Sequence, residues 1–445
     1  MLPFLFIGEL MSLSKDGFKQ PLKFNLLFIL KDEAETIEQA ITAFHWGDGT
    51  PLYNRLIVGI DNNTKDNTEE IVRRYTDEVS FFDWGEDFSK HRNALIDKAD
   101  KNAWCMFPDG HEIMRTAANN PGMYDGREVL QEFMKHSPTQ ANVFAPNIEI
   151  DVDENDIPDV IFRRPIFFRN TGKVKFFRKV HNYLYDEEKK LICRLPEIFF
   201  IHNMPEKRKQ MRTKMRTDMN IRKLKKSVNE KPKDVRDNFY YADSLDEAND
   251  VKKAIKHYKK SFKMADQHDP DMAAQICISA MNSLHKVKRY DEMVKWGYRG
   301  LRNRWDRAEL YHYLALAKKN LNKLHESNHW WYVASQLPLP DTTYFLMARV
   351  YSWYPWEGMA VNFSQLGELD EALKCFNRVL EWKTNKKTGE KCLATLKNIE
   401  LVKRGMEERD NKIKADGMTN ELLSPEILNS ALDIVHKGKH KMEVV

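Results

Sequence analysis

The sequence is poor in features that mark several common protein classes. Its 445 residues contain five cysteines with no CxxC pair, so neither a zinc knuckle nor a disulfide framework is indicated. No apolar run is long enough to cross a bilayer. The apolar start MLPFLFIGEL carries Glu9 and no basic segment precedes it, which argues against a signal peptide. These absences predict an intracellular, cytoplasmic protein without a transmembrane segment.

Apolar and charged residues are both plentiful. Hydrophobic residues make up 42% and charged residues 31% of the chain, a balance typical of globular proteins. The length is enough for two or three domains. Residues 206–236 hold 13 Lys and Arg against 4 Asp and Glu, whereas the chain as a whole has a net charge of +5. This basic segment is either a solvated helical linker or a binding surface for an anionic acceptor.

The first half of the chain alternates strand-like and helix-like segments. The predicted strands are 23–30, 55–60, 79–82 and 103–107, and the predicted helices are 32–44, 65–75 and 88–99. Alternation of this kind predicts an α/β domain with a Rossmann-like, mostly parallel sheet. Ligands of such sheets bind beyond the carboxyl ends of the strands. Further strand-like segments are 141–151, 159–169, 175–180 and 198–202.

The second half is helical and repetitive. Candidate helix pairs begin at 238, 272, 307 and 341, a period of 34 or 35 residues that matches the tetratricopeptide repeat. The last pair is displaced by an insertion around YSWYPWEGM, and Asn249, Lys288 and Asn322 stand where a turn glycine is usual. We therefore predict an all-α solenoid. The predicted domains are 20–205 (α/β), 206–236 (basic linker), 237–405 (repeats) and 406–445 (charged tail).

Polar motifs follow the strands of the first half in a fixed order. They read ILKDE (29–33), IDNNTKDNT (60–68), DFSKHRN (87–93) and DGHE (109–112). In this order they resemble the motifs of family 2-like glycosyltransferases, which have a GT-A fold; one subgroup carries C-terminal tetratricopeptide repeats. The resemblance covers roughly residues 22–205, and the ordered set is far more specific than any single motif.

The resemblance implies a binding site for a nucleoside diphosphate sugar, with a UDP-sugar as the expected donor. Asp61 and Glu33 would contact the nucleoside, and Arg92 would bind the phosphates or the base. Each of these loops also has an ordinary structural reading. Asp61 could cap the following helix, and Asp87 or Ser89 could cap the helix that contains Arg92.

The DGHE loop is the expected metal and catalytic site. A divalent cation, Mn²⁺ or Mg²⁺, would neutralise the charge on the departing diphosphate. The resemblance implies Asp109 as a nucleotide and metal ligand, with His111 in place of the family's second acid and His202 as a third ligand. Imidazole favours manganese over magnesium, and Asp109 acting alone is the alternative.

The general base is not assigned by the motifs. Residues 179–182 resemble a family segment that ends in glutamate, where this chain has Asn182. An attacking hydroxyl must lose a proton, and the candidate bases are Glu112, Asp151, Asp153, Asp186 and Glu187.

The resulting expectation is a metal-dependent, inverting glycosyltransferase whose repeats select the acceptor. A peptide or protein, or an anionic acceptor such as modified nucleic acid, fits best, and a lipid or polysaccharide is also compatible. The repeats could also form a homodimer. The rival function is a non-catalytic repeat scaffold with a degenerate first domain. A nucleotidyltransferase is disfavoured because no glycine-rich loop follows the first strand.

Overall fold

The structure is a computed structural model that describes residues 23–83, 87–116, 125–137, 140–153, 156–178, 182–188, 192–204, 206–266, 268–385 and 388–416. The described residues form two compact units. One comprises the residues up to Asp151 together with Val160–Lys223, and the other comprises Val152–Asp159 and the residues from Leu224 onward. The helix Glu206–Glu230, which contains most of the predicted linker 206–236, has residues in both units.

Strands and short helices precede that long helix. The strands are β1 (Phe24–Leu30), β2 (Arg55–Asp61), β3 (Val79–Phe82), β4 (Trp104–Met106), β5 (Glu112–Met114), β6 (Val143–Val152), β7 (Pro158–Arg163), β8 (Phe167–Arg169), β9 (Val174–Phe177), β10 (Tyr183–Asp186) and β11 (Ile192–His202). The helices are α1 (Ile37–Thr42), α2 (Thr68–Arg73), α3 (Phe88–Lys98), α4 (Gly126–His136) and α5 (Glu206–Glu230).

The main sheet of the first unit is mixed. Its order includes β7-β6-β8-β4-β1-β2-β3, with β11 paired to β6 and β5. Strands β4, β1, β2 and β3 are parallel, as expected for segments joined through helices. Strand β8 is antiparallel to both β4 and β6. The sheet is therefore mixed rather than mostly parallel: beyond β4, β11 is parallel to β6, whereas β8 is antiparallel to both of its neighbours. Strands that follow one another without a crossover helix can pair antiparallel.

Strand β1 is the centre of this unit. All seven of its residues are buried. Alternate side chains point to opposite faces of a strand, and here Leu26, Phe28 and Leu30 join one apolar cluster while Leu27 and Ile29 join another. The sheet is thus covered by apolar clusters on both faces.

The second unit is an array of helical hairpins. Its helices are α6 (Val235–Glu247), α7 (Val251–Ala265), α8 (Pro270–Lys286), α9 (Tyr290–Asn303), α10 (Ala308–Asn320), α11 (Leu324–Ser335), α12 (Tyr354–Leu366), α13 (Leu369–Trp382) and α14 (Leu393–Asp416). Trp296, Trp331 and Trp353 are buried core residues of this unit.

The fourth hairpin begins later than the period predicts. Its first helix, α12, starts at Tyr354, because a short strand β12 (Leu346–Met347) and a 3-10 helix (Ala348–Tyr351) precede it. The extra residues therefore lie before YPWEGM, which is part of the helix. Helix α14 crosses the predicted domain end at 405, and residues 417–445 of the predicted tail lie outside the described residues. Within the described part of the chain, no helix is both long and apolar enough to cross a membrane.

Candidate functional site

The loop after β4 carries Asp109 at the centre of a charged cluster. Arg92 Nη2 lies 2.9 Å from Asp109 Oδ1, and Arg164 Nη1 lies 2.6 Å from Oδ2. Burial alone would raise the pKa of the Asp109 carboxyl, but Arg164 and Arg92 hold it well below its usual range. The Asp109 carboxylate is therefore ionised, and each of its two oxygens accepts a hydrogen bond from a guanidinium group.

Arg92 is fixed by its surroundings on α3. Asp87 caps this helix by accepting hydrogen bonds from the backbone N–H groups of Ser89 and Lys90, so the structural reading of Asp87 is confirmed. The Arg92 guanidinium lies 5.4 Å from the Phe107 ring centre and 4.9 Å from that of Phe176. Its Nη1 donates to Asn182 Oδ1 at 3.2 Å. The aromatic contacts restrict the side chain and hold it toward Asp109.

Arg164 connects Asp109 to Glu112. It follows β7 and donates from Nη1 to Asp109 and from Nη2 to Glu112. Glu112 also accepts the backbone N–H of Asp109 at 2.9 Å, and its side chain is completely buried. Burial lowers the pKa of Arg164, but the Asp109 and Glu112 carboxylates outweigh it and raise that pKa above its usual value. Arg164 is therefore a fully charged bridge between two acids.

Antiparallel pairing of β5 with β11 brings Glu112 and His202 together. The two residues are register partners, and His202 Nδ1 lies 3.8 Å from Glu112 Oε1. Both atoms are buried without a hydrogen-bond partner in the part of the chain that the structure describes. The His202 ring also meets the His111 ring edge-on, with centres 4.4 Å apart. His202 is thus beside the DGHE loop, as the motif order predicts.

His111 is paired with Glu33 at the end of β1. Its Nδ1 lies 3.3 Å from both oxygens of the Glu33 carboxylate, and both side chains are buried. Burial lowers the pKa of His111, but the hydrogen bond and charge of Glu33 outweigh burial and raise it. The Glu33 carboxylate also accepts a hydrogen bond from Thr36 Oγ1, with the two oxygens 3.2 Å apart. This carboxylate therefore holds the loop after β4 against the end of β1.

Asp61 ends β2 and lies in a turn. It is buried, and its Oδ2 lies 2.5 Å from Lys31 Nζ. Its Oδ1 accepts the backbone N–H of Asn63 at 3.1 Å. Helix α2 begins only at Thr68, so Asp61 does not cap it. The Lys31 contact joins the ends of β1 and β2.

The predicted metal ligands do not form a metal site. Within the residues that the structure describes, no group of three His, Cys, Asp or Glu side chains could hold a metal ion. Asp109 is bound by two arginines, and His111 Nδ1 faces Glu33 rather than Asp109. Asp109, His111 and His202 therefore do not fit the divalent cation, Mn²⁺ or Mg²⁺, that the resemblance implies.

The contacts of Glu112, Asp186 and Asp153 bear on their roles as candidate bases. Glu112 is completely buried and bound by Arg164, which does not fit a base that must touch an acceptor hydroxyl. Asp186 is buried and accepts a hydrogen bond from Asn142 at 2.6 Å. Asp153 accepts the backbone N–H of Ile157 at 2.9 Å. The segment 179–181 that precedes Asn182 lies outside the described residues.

Sequence reasoning missed Arg164 and the role of Lys31. The only local signal for Arg164 is a pair of arginines before Pro165, between two apolar strand segments. Proline interrupts a sheet ladder, so a cation at such a break lies at a strand end, where ligands of α/β sheets bind.

Comparisons with known proteins give no family assignment. No protein-family model matches the chain, and no curated protein matches it. Solved structures with partial similarity include MamA (17% identity, 40% of this chain and 95% of that chain, TM-score 0.32). They also include YrrB, described as a TPR protein with an unusual peptide-binding site (19% identity, 48% of this chain and 97% of that chain, TM-score 0.32). A third is BtubC from P. vanneervenii (17% identity, 48% of this chain and 95% of that chain, TM-score 0.35). At these values the similarities assign neither a family nor an activity.

Proposed function

We propose that the first unit binds a UDP-linked sugar and transfers the sugar, with inversion at the anomeric carbon, to an acceptor. The second unit, as a tetratricopeptide-type array, would select that acceptor, which we expect to be a peptide or protein or an anionic polymer such as modified nucleic acid. The family 2-like motifs in the sequence provide the reaction class.

One observation carries the proposal. Four motif segments that are distant in sequence contribute side chains to contacts at the carboxyl ends of β1, β2 and β4. The contacts are Lys31 with Asp61, Glu33 with His111, and Arg92 with Asp109. In α/β sheets this edge is where nucleotides bind. Partly exposed and buried ion pairs contribute little net stability, so the concentration of charged pairs at this edge favours a functional role.

The chemistry required of the site is charge stabilisation and positioning. The bond between the anomeric carbon and the β-phosphate oxygen breaks, and its electron pair stays on the departing diphosphate. The acceptor oxygen or sulfur forms the new bond, and its proton passes to a base or to solvent. A site of this kind must hold the nucleoside at one end and neutralise the diphosphate at the other.

Product analysis tests this proposal directly. The full chain is incubated with a panel of nucleotide sugars and cell extract, and the released nucleotide and the masses of glycosylated products are measured. Asp61→Asn should weaken UDP binding by roughly tenfold, because one charge-assisted acceptor is lost. Asp77→Asn, the same change at an exposed position, is the matched control. No UDP binding and no nucleotide release with any donor would overturn the proposal.

A non-catalytic repeat scaffold is the second candidate. It is favoured by the saturation of Asp109 with two guanidinium groups and by Asn182, which replaces the family's glutamate and contacts Arg92. A scaffold predicts a folded first unit that has lost turnover. Nucleotide release from UDP-sugars, measured in wild type and in Asp109→Ala, therefore separates the two candidates: no release in wild type and no difference in the variant favour the scaffold.

A further inference from the structure

Arg92 and Arg164 form a pair of guanidinium groups on one carboxylate. Each lies within 3 Å of a different Asp109 oxygen. Their mutual repulsion is one of the effects that lower the pKa of Arg92, after burial, which is the largest. Two cations held this close need compensating anions, and Asp109 and Glu112 provide two negative charges in the absence of a ligand.

Each guanidinium also has an unused donor. Arg92 Nε and Arg164 Nε are buried with no hydrogen-bond partner in the part of the chain that the structure describes. A buried N–H without an acceptor is energetically costly. A diphosphate has several acceptor oxygens and would contact the guanidinium groups where the two side chains are partly exposed.

The pair is both rigid and reachable. Phe107 and Phe176 hold the Arg92 guanidinium, and Glu112 holds Arg164. The Arg92 side chain is 13% exposed, and those of Arg164 and Asp109 are 23% and 24% exposed. A preorganised cation pair at the edge of a buried cluster can stabilise developing charge without reorganising at the moment of reaction.

We propose that Arg92 and Arg164 bind the diphosphate of the donor and neutralise the departing group directly, without a bridging divalent cation; this inference rests on the proposed function. Asp109 is then the counterion that positions the two arginines. As the sugar–phosphate bond breaks, the new negative charge develops on the β-phosphate oxygen, and the bidentate guanidinium fork matches phosphate geometry. Arg164 becomes a diphosphate ligand that the family motifs do not include.

Calorimetric titrations in EDTA test the inference with two probes, UDP and inorganic pyrophosphate. Wild-type protein should bind both, and replacing EDTA by Mn²⁺ should leave the affinities unchanged. Arg164→Gln should weaken pyrophosphate binding by roughly 10- to 100-fold. Arg74→Gln, at an exposed arginine paired with Glu70 on α2, should have no effect. Asp61→Asn should weaken UDP binding but leave pyrophosphate binding intact.

Two further variants separate loss of binding from loss of folding. Removing Arg164 alone leaves the buried Glu112 carboxylate uncompensated, so the double variant Arg164→Gln/Glu112→Gln is measured beside it. Arg164→Lys keeps the charge but lacks the planar fork, and it should bind pyrophosphate with intermediate affinity. Circular dichroism and thermal melting establish that each variant is folded.

The outcomes distinguish the two proposals. If UDP binds only with Mn²⁺, or if folded Arg164 variants bind pyrophosphate like wild type, the arginine inference is overturned and the proposed function stands. If pyrophosphate binds in EDTA but no nucleotide or nucleotide sugar does, the anion site stands and the proposed function fails. Binding of both probes in EDTA, lost in folded Arg164 variants, supports the inference.

Discussion

At the scale of single residues, Gly110 decides how closely the loop after β4 can approach β1. A Cβ atom at this position would lie 2.6 Å from Leu30 Cδ2 and 3.0 Å from Glu33 Cγ. Leu30 is fully buried, and Glu33 is held by Thr36 and His111. The absence of a side chain therefore permits the contact between Glu33 and His111 that joins the two strand ends.

We expect Gly110→Ala to disturb the site and to destabilise the first unit. Overpacking of a filled core typically costs about 1–3 kcal/mol, and displacement of Glu33 would also weaken UDP binding. Chemical denaturation and UDP titration measure the two effects. Gly47→Ala is the matched control, because a Cβ there meets nothing within 4 Å. Equal stabilities for the two variants would contradict the steric argument.

At the scale of elements, the helical hairpins share one turn conformation. Asn249, Lys288, Asn322 and Gly367 each stand between the two helices of a hairpin, and all have a positive φ, between 59° and 76°. This left-handed conformation suits glycine and is unfavourable for a lysine. Asn249, Lys288 and Asn322, which stand where a turn glycine is usual, therefore adopt the same turn conformation as Gly367.

Replacing Lys288 with glycine should therefore stabilise the second unit. Relief of the left-handed strain should exceed the entropy cost of glycine by roughly 0.5–1 kcal/mol. Denaturant unfolding, followed by helical circular dichroism, measures the change. Gly367→Ala, at the equivalent turn with φ of 76°, should instead destabilise the second unit. If Lys288→Gly instead lowers the free energy of unfolding, the exposed lysine makes a contact that stabilises the fold by more than the left-handed backbone strain costs.

Element-level prediction succeeded where local chemistry decides the outcome. Strand β1 is visible as an apolar run, and the start of α3 is visible from the Asp87 cap, because neither depends on distant residues. The direction of β8 and the position of Arg164 were not predictable. They depend on which strands pair across tens of residues, a choice that hydrophobic periodicity does not encode. The metal prediction has the same limit. Hydrophobic periodicity does not show that Arg92 and Arg164 pair with the Asp109 carboxylate; this contact is visible only in the folded structure.

At the scale of the whole molecule, a buried histidine of the second unit makes stability depend on pH. His312 on α10 is buried among the rings of Tyr313, Trp331 and Tyr354. Burial, with a smaller effect from His285, lowers its pKa to about 3. In the unfolded chain this histidine titrates near its ordinary pKa of 6.5. Between these two values the unfolded chain therefore binds a proton at this position, while the folded second unit does not.

The sign of the effect follows from that difference. A group with a depressed folded-state pKa contributes full stability above its unfolded pKa, and the contribution is lost as pH falls toward the folded value. Acidification from about pH 7.5 to about pH 4.5 should lower the free energy of unfolding of the second unit by about 2–3 kcal/mol through His312 alone. His312→Leu should remove this part of the pH dependence, whereas His325→Leu, at an exposed histidine, should retain it. Urea unfolding of the full chain at several pH values measures the slopes. Parallel slopes for wild type and His312→Leu would mean that the buried imidazole is protonated in the folded state, with a solvent path or an anionic partner that its aromatic surroundings do not supply.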